Sequence, residues 1–274
     1  MEWGILVLVG LLAGTIGSLL GLGGGIIVVP ALLLLSSSVG ILAGITPQVA
    51  VGTSLLIMIF TGLSSTFAYV KQGKVDYRSG FLFFMGSGPG ALVGVWLNRF
   101  LEVEPFMIYF GLFMLVVAAI LTIRPYLKPR PLSNRAMTYV YNDDKGQKNV
   151  YGYRPVVAIM IAAMVGILSG LFGIGGGSLM VPAMIILFHF PAHLAIATSM
   201  FMILLSAMLS SISHILLGNV NWLYALALIP GAYIGGIVGA AINKRLSSTA
   251  LLIILRLFLV LAALRLIYQG VNGN

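Results

Sequence analysis

Gly21-Leu22-Gly23-Gly24-Gly25 and Gly173-Ile174-Gly175-Gly176-Gly177 are two versions of one pentapeptide, 152 residues apart, and each is followed five residues later by a proline, Pro30 or Pro182. Gly14 and Gly166 match at the same offset. Apolar runs flank both pentapeptides. Glycine costs a helix roughly 1 kcal/mol against alanine, so three in succession predict a break between two helical segments. Further along, the offset becomes 145 and stays there. Gln48 matches His193, Gly52-Thr53-Ser54 matches Ala197-Thr198-Ser199, and Gly73, Gly86, Gly90, Gly94 and Asn98 match Gly218, Gly231, Gly235, Gly239 and Asn243. The shift implies a net deletion of seven residues, placed in the loop Ser36 to Thr46. The chain is therefore read as two repeats, residues 1–123 and 155–274, joined by a polar linker, 124–154.

Composition sets the solvent. Of 274 residues, 60% are hydrophobic and 8% charged, too few polar groups to cover a water-soluble domain of this size. Several apolar runs reach the roughly 20 residues that a helix needs to cross a bilayer, and none alternates like a barrel strand. The expected fold is all-α and integral to the lipid bilayer, with five hydrophobic segments per repeat. In the first they span about Trp3 to Leu20, Ile26 to Leu35, Val49 to Val70, Gly80 to Leu97 and Pro105 to Ile123. The second has Val156 to Phe172, Ser178 to Phe188, His193 to Leu217, Trp222 to Ile242 and Thr249 to Tyr268. The second segment of each repeat is too short for an ordinary span and is expected to cross only where protein surrounds it.

The formal charge of +9 resembles a nucleic-acid signal, but the basic residues cluster in loops, where they orient a membrane chain, and no nucleic-acid partner is expected. Seven of fifteen, Arg124, Lys128, Arg130, Arg135, Lys145, Lys148 and Arg154, lie in the linker, which is placed in the cytoplasm. Counting outward, Lys71, Lys74, Arg78, Lys244 and Arg245 fall inside, and the loops with Arg99 and with Gly218 to Asn221 fall outside. Equivalent loops then face opposite sides. The repeats are expected to be inverted, with both termini extracytoplasmic in a multi-pass protein of the cell's inner (plasma) membrane. Met1-Glu2-Trp3 and the run after it lack the features of a cleaved signal, so the first helix is expected to remain.

A short helix that starts at a glycine break presents free N–H groups and the positive end of its dipole, which suits an anion. Inverted repeats whose broken helices meet near the midplane are a transporter plan. The same glycines could instead serve only close helix packing. The paired Gly-Leu-Gly-Gly-Gly and Gly-Ile-Gly-Gly-Gly, their prolines, and the Gly-Thr-Ser and Ala-Thr-Ser that follow resemble the TauE/SafE family of sulfite and sulfonate exporters over both repeats. The resemblance implies a permease for sulfite, sulfoacetate or other organosulfonates. The mechanism expected from the paired breaks is alternating access, by rocking of the halves around an anion held between them. An anion channel or another small-anion carrier is the alternative.

The candidate substrate-binding residues are the glycines Gly23, Gly24, Gly25, Gly175, Gly176 and Gly177, with Gln48, Thr53, Ser54, His193, Thr198, Ser199 and Arg256. The four hydroxyls could donate to a sulfonate or to their own helix carbonyls. Gln48 and His193 open equivalent helices, as ligands, gates or caps. Arg256, about 12 Å into the last helix, needs a partner or a path to the interface. His214, the counterpart of Tyr69, is expected at an interface. No acidic residue lies within an expected span, so a buried carboxylate proton relay is absent. With no cysteine and no metalloprotease motif, no cofactor or metal is expected. Enzymatic activity is not expected either: Ser199 and His214, the one conceivable nucleophile and base, stand about 22 Å apart on one helix. Within the linker, Thr138 to Asn142 and Gln147 to Tyr153 predict a small hairpin in a solvated spacer.

Overall fold

The computed structural model describes residues 2–39, 45–123, 137–142, 148–245 and 248–272. Each expected segment is a helix: α1 (Glu2–Leu20), α2 (Gly25–Val39), α3 (Pro47–Lys71), α4 (Tyr77–Asn98), α5 (Val103–Ile123), α6 (Pro155–Phe172), α7 (Gly177–Leu187), α8 (Ala192–Leu216), α9 (Trp222–Asn243) and α10 (Ser248–Asn272). Among the described residues seven helices, α1, α3, α4, α5, α6, α8 and α9, are long and apolar enough to cross a membrane. Between α5 and α6 an antiparallel hairpin pairs β1 (Met137–Asn142) with β2 (Lys148–Tyr153). Part of the extra length in the first repeat is helical, since α2 reaches Val39 and has 15 residues to the 11 of α7. The linker's Arg124, Lys128, Arg130, Arg135 and Lys145 lie outside the described residues.

Local chemistry starts the helices where the sequence puts caps. Thr46 accepts the Val49 N–H ahead of Pro47, Asp76 accepts that of Ser79, and Asn221 accepts that of Tyr224. Asp76 and Asn221 are equivalent positions, so α4 and α9 begin in the same way. Gly73 and Gly218, with φ of +67° and +72°, make the turns just before these caps.

The two repeats interlock. α1 packs along α9, α6 along α4, α5 along α10, and α3 crosses α8 at the centre. Gly86, Gly90 and Gly94 of α4 lie directly on the carbonyls of Ile159, Ala163 and Ile167 of α6. Gly231, Gly235 and Gly239 of α9 lie on those of Val7, Leu11 and Thr15 of α1. Spacing of four keeps each glycine row on one face, and the missing Cβ lets two backbones touch where lipid supplies no hydrophobic drive. Along both contacts numbers rise together, so these pairs run parallel. Gly52 meets His214 and Gly62 meets Leu204, so α3 and α8 run antiparallel. Phe67, Met85, Val156 and Leu216 are among the large apolar residues left on the outside, as expected of a protein whose solvent is hydrocarbon.

The hairpin is not a solvated spacer. Tyr151 and Tyr153 of β2 are 5% and 2% exposed. Tyr151 stacks obliquely on Phe190 at 4.3 Å and Tyr153 lies 5.2 Å from Phe83, beneath Phe188. The Gly152 N–H donates to the Phe188 carbonyl, which joins β2 to the turn after α7. Burial of aromatic faces with their hydroxyls satisfied outweighs solvation of the linker here.

Candidate functional site

Both glycine clusters break their helices. α1 stops at Leu20 and the chain turns through Gly21, Gly23 and Gly24, with φ of +73°, +81° and +91°. α6 stops at Phe172 and turns through Gly173, Gly175 and Gly176, at +69°, +74° and +67°. L-residues with a Cβ avoid these angles, which explains why the segments carry glycine at equivalent places.

The breaks meet each other across the repeats. A Cβ on Gly25 would strike the Gly173 carbonyl oxygen and the Met58 sulfur, and one on Gly177 would strike the Gly21 carbonyl oxygen. A helix that ends leaves carbonyls unpaired, and inside a membrane protein they need donors. Ser54 Oγ donates to the Gly173 carbonyl at 2.9 Å, and Ser199 Oγ donates to the Gly21 carbonyl at 2.8 Å. Each serine thus completes the helix end of the other repeat. Met58 and its equivalent Ile203 fill the space between the breaks, where they contact Gly23 and Gly175.

The amide side is different. At equivalent positions, the N–H groups of Gly24 and Gly176 and of Ile26 and Ser178 find no acceptor among the described residues. Beside Ser54 and Ser199, Thr53 Oγ1 accepts the Asn221 N–H at 3.0 Å and Thr198 Oγ1 accepts the Asp76 N–H at 3.1 Å. Both threonines are buried and each keeps its hydroxyl proton for another acceptor. The chemistry is donor-rich, with no carboxylate in α2, α3, α7 or α8.

Other candidates stand apart. Gln48 Nε2 donates to the carbonyls of Asn98 and Leu101, and His193 Nδ1 lies 2.8 Å from Asn243 Oδ1. The same two asparagines donate from Nδ2 to Leu171 and Leu19, near the ends of α6 and α1. Gln48 and His193 therefore pin helix ends together, more than a turn before the threonines. Arg256 is half-buried on α10, which packs along α5. His214 is not interfacial: it is wholly buried against Gly52.

The sequence reading passed over two buried polar ladders. One runs along α3 through Thr61, Ser64, Ser65, Thr66 and Tyr69, and the other along α8 through Ser206, Ser210, Ser211 and His214. Tyr69 donates to the Ser18 carbonyl at 2.9 Å, while Ser87 and Ser206 share a hydroxyl contact of 2.8 Å. The recurrence of Ser65-Thr66 as Ser210-Ser211 at the offset of 145 is a signal that could have revealed them.

The hairpin reaches the same region. Tyr151 OH donates to Asp76 Oδ2 at 2.8 Å, and Ser79 Oγ also donates to Oδ2. Tyr153 OH, 2.7 Å from Ser79 Oγ, then serves as donor to it. A hydrogen-bonded chain therefore runs from β2 through Asp76 to Thr198.

The family profile described as "Sulfite exporter TauE/SafE" matches residues 6–266. The chain belongs to the TauE/SafE family. Its relatives include the probable membrane transporter protein YunE of Bacillus subtilis, 50% identical over 99% of both chains. The probable membrane transporter protein MJ0441 of Methanocaldococcus jannaschii is 28% identical, over 92% of this chain and 90% of its own. A probable membrane transporter protein of Xylella fastidiosa is 27% identical, over 87% and 84%. No solved structure matches the chain significantly. This TauE/SafE member is thus a multi-pass membrane transporter, and the paired breaks are its best candidate site.

Proposed function

We propose that the protein carries small sulfur-containing anions, sulfite, sulfoacetate or other organosulfonates, across the cell's inner membrane by alternating access. The observation that carries this reading is the duplicated break, in which equivalent amides are left as donors, Thr53 and Thr198 stand one residue before the serines that hold the breaks, and α2, α3, α7 and α8 carry no carboxylate; Asp76, beside Thr198, is itself held by Tyr151 and Ser79. Such a group of donors replaces the water stripped from an oxyanion, and fixed dipoles at helix starts do so without a buried charge. The antiparallel crossing of α3 and α8 supports an inverted relation between the repeats, with the linker cytoplasmic and both termini outside. Met58 and Ile203 would have to withdraw for a solute to lie between the breaks, which fits a site closed in one state and open in another.

Proteoliposomes given labelled sulfite, with proton and sodium gradients imposed separately, test substrate and coupling together. Saturable uptake by the wild type is expected. Gly24→Leu and Gly176→Leu place a side chain at positive φ in each break, and uptake should fall to background while membrane insertion persists. Wild-type rates in both variants would remove the breaks from the mechanism.

A further inference from the structure

α8 carries three polar groups that the fold does not satisfy. Ser210, Ser211 and His214 are 1%, 0% and 0% exposed. Ser210 Oγ, Ser211 Oγ and His214 Nε2 make no hydrogen bond among the described residues. Spacings of three and four put both hydroxyls on the imidazole's side of the helix. A serine in a membrane helix commonly donates to the carbonyl one turn back, as Ser213 does to Leu209 at 3.2 Å, and these two do not. Asn219 Nδ2, which can only donate, lies 3.4 Å from His214 Nδ1. With Asn219 donating in this way, a neutral ring accepts at Nδ1 and carries its proton on Nε2, and in that tautomer the unpartnered nitrogen is a donor.

The duplicate ladder gives the comparison. On α3 the equivalents of Ser210 and His214 are paired, Ser65 with the Gly236 carbonyl and Tyr69 with that of Ser18. Only Thr66, the equivalent of Ser211, shares its unpaired state. Two of the three orphaned donors, those of Ser210 and His214, are therefore particular to the second repeat. Their position is informative too. His214, at the end of α8 away from Ser199, and the Asn219 carbonyl both abut Gly52, two residues before Ser54, which holds the Gly173 carbonyl of the second break. α8 and the helices α3, α4 and α7 packed on it contain no acidic residue; α1, which also touches α8, has Glu2 as its first residue, and Asp76 lies beside Thr198 at the start of α8, the end away from His214.

We propose that Ser210, Ser211 and His214 form a second anion station, which takes an oxyanion through two hydroxyls and an imidazole N–H on its way between the α8–α9 turn and the breaks. The station rests on the anion-carrier reading above and extends it to residues outside the break. An oxyanion fits because each of the three groups can donate at once, and a cation would meet no carboxylate to balance it.

The test uses the full chain in nanodiscs, with sulfite as the probe. Calorimetry gives the affinity, and 15N-histidine labelling follows an imidazole set of only three residues, with His214→Gln assigning one of them. Sulfite should move the His214 Nε2 resonance in the wild type and also in Gly176→Leu, whose break is blocked. The double variant Ser210→Ala with Ser211→Ala should weaken the binding that shifts His214 by about tenfold. Sulfite that binds without moving His214 overturns the station alone. A wild type that binds no sulfite overturns the anion reading and the station with it.

Discussion

Ser54 and Ser199 occupy the same place in the two repeats and make the same bond, each to a carbonyl that a glycine break has freed. Removing either hydroxyl leaves a buried carbonyl without its side-chain donor, at a cost of about 1–3 kcal/mol. Ser54→Ala and Ser199→Ala should each lower the thermal unfolding midpoint in detergent, by similar amounts. A large loss from one and none from the other would contradict equivalent roles. The residues were legible in the sequence because they are duplicated; their direction was not. Spacing along one helix shows that a hydroxyl exists, whereas its acceptor lies 119 or 178 residues away. The same limit explains His214, whose burial depends on Gly52 of another helix.

At the scale of elements, all ten helices were legible because bilayer length and glycine breaks are local signals. The strands too were anticipated to within a residue at each end. The docking of the hairpin was not, since it comes from Phe83, Phe188 and Phe190 on distant segments. That docking makes a pH prediction. Burial raises the phenol of Tyr151 above its usual range, and Asp76 raises it further. Burial also raises that of Tyr153, partly offset by the Ser79 hydrogen bond. A phenol with a raised folded value holds its proton more tightly when docked. The contribution is therefore complete below the ordinary tyrosine value of about 10 and is lost as pH rises above it. Protease protection of the hairpin should stay constant from about pH 6 to 9 and fall above about pH 10. Release that begins near neutrality would contradict this, and Tyr151→Phe should still lose protection sooner through its missing bond to Asp76.

Over the whole molecule, the repeats read from the sequence are not two packing bodies. α1 and α9, α6 and α4, and α5 and α10 each join one repeat to the other, and the glycine rows make two of these contacts backbone to backbone. A protease site inserted between Ile123 and Met137 tests the arrangement. After cleavage the two fragments should copurify in mild detergent and separate only on denaturation. Fragments that part under native conditions would contradict the interlocked packing. In the alternating access proposed above, motion between states would slide or tilt helix pairs drawn from both repeats rather than hinge at the sequence boundary.

The crossed serine bonds also bear on descent. A protein of half this length would end its first helix at a glycine whose oxygen it could not itself satisfy, and would carry a serine suited to a neighbour's. Two such molecules would answer each other's need, which is the arrangement expected if paired copies preceded the fusion of their genes.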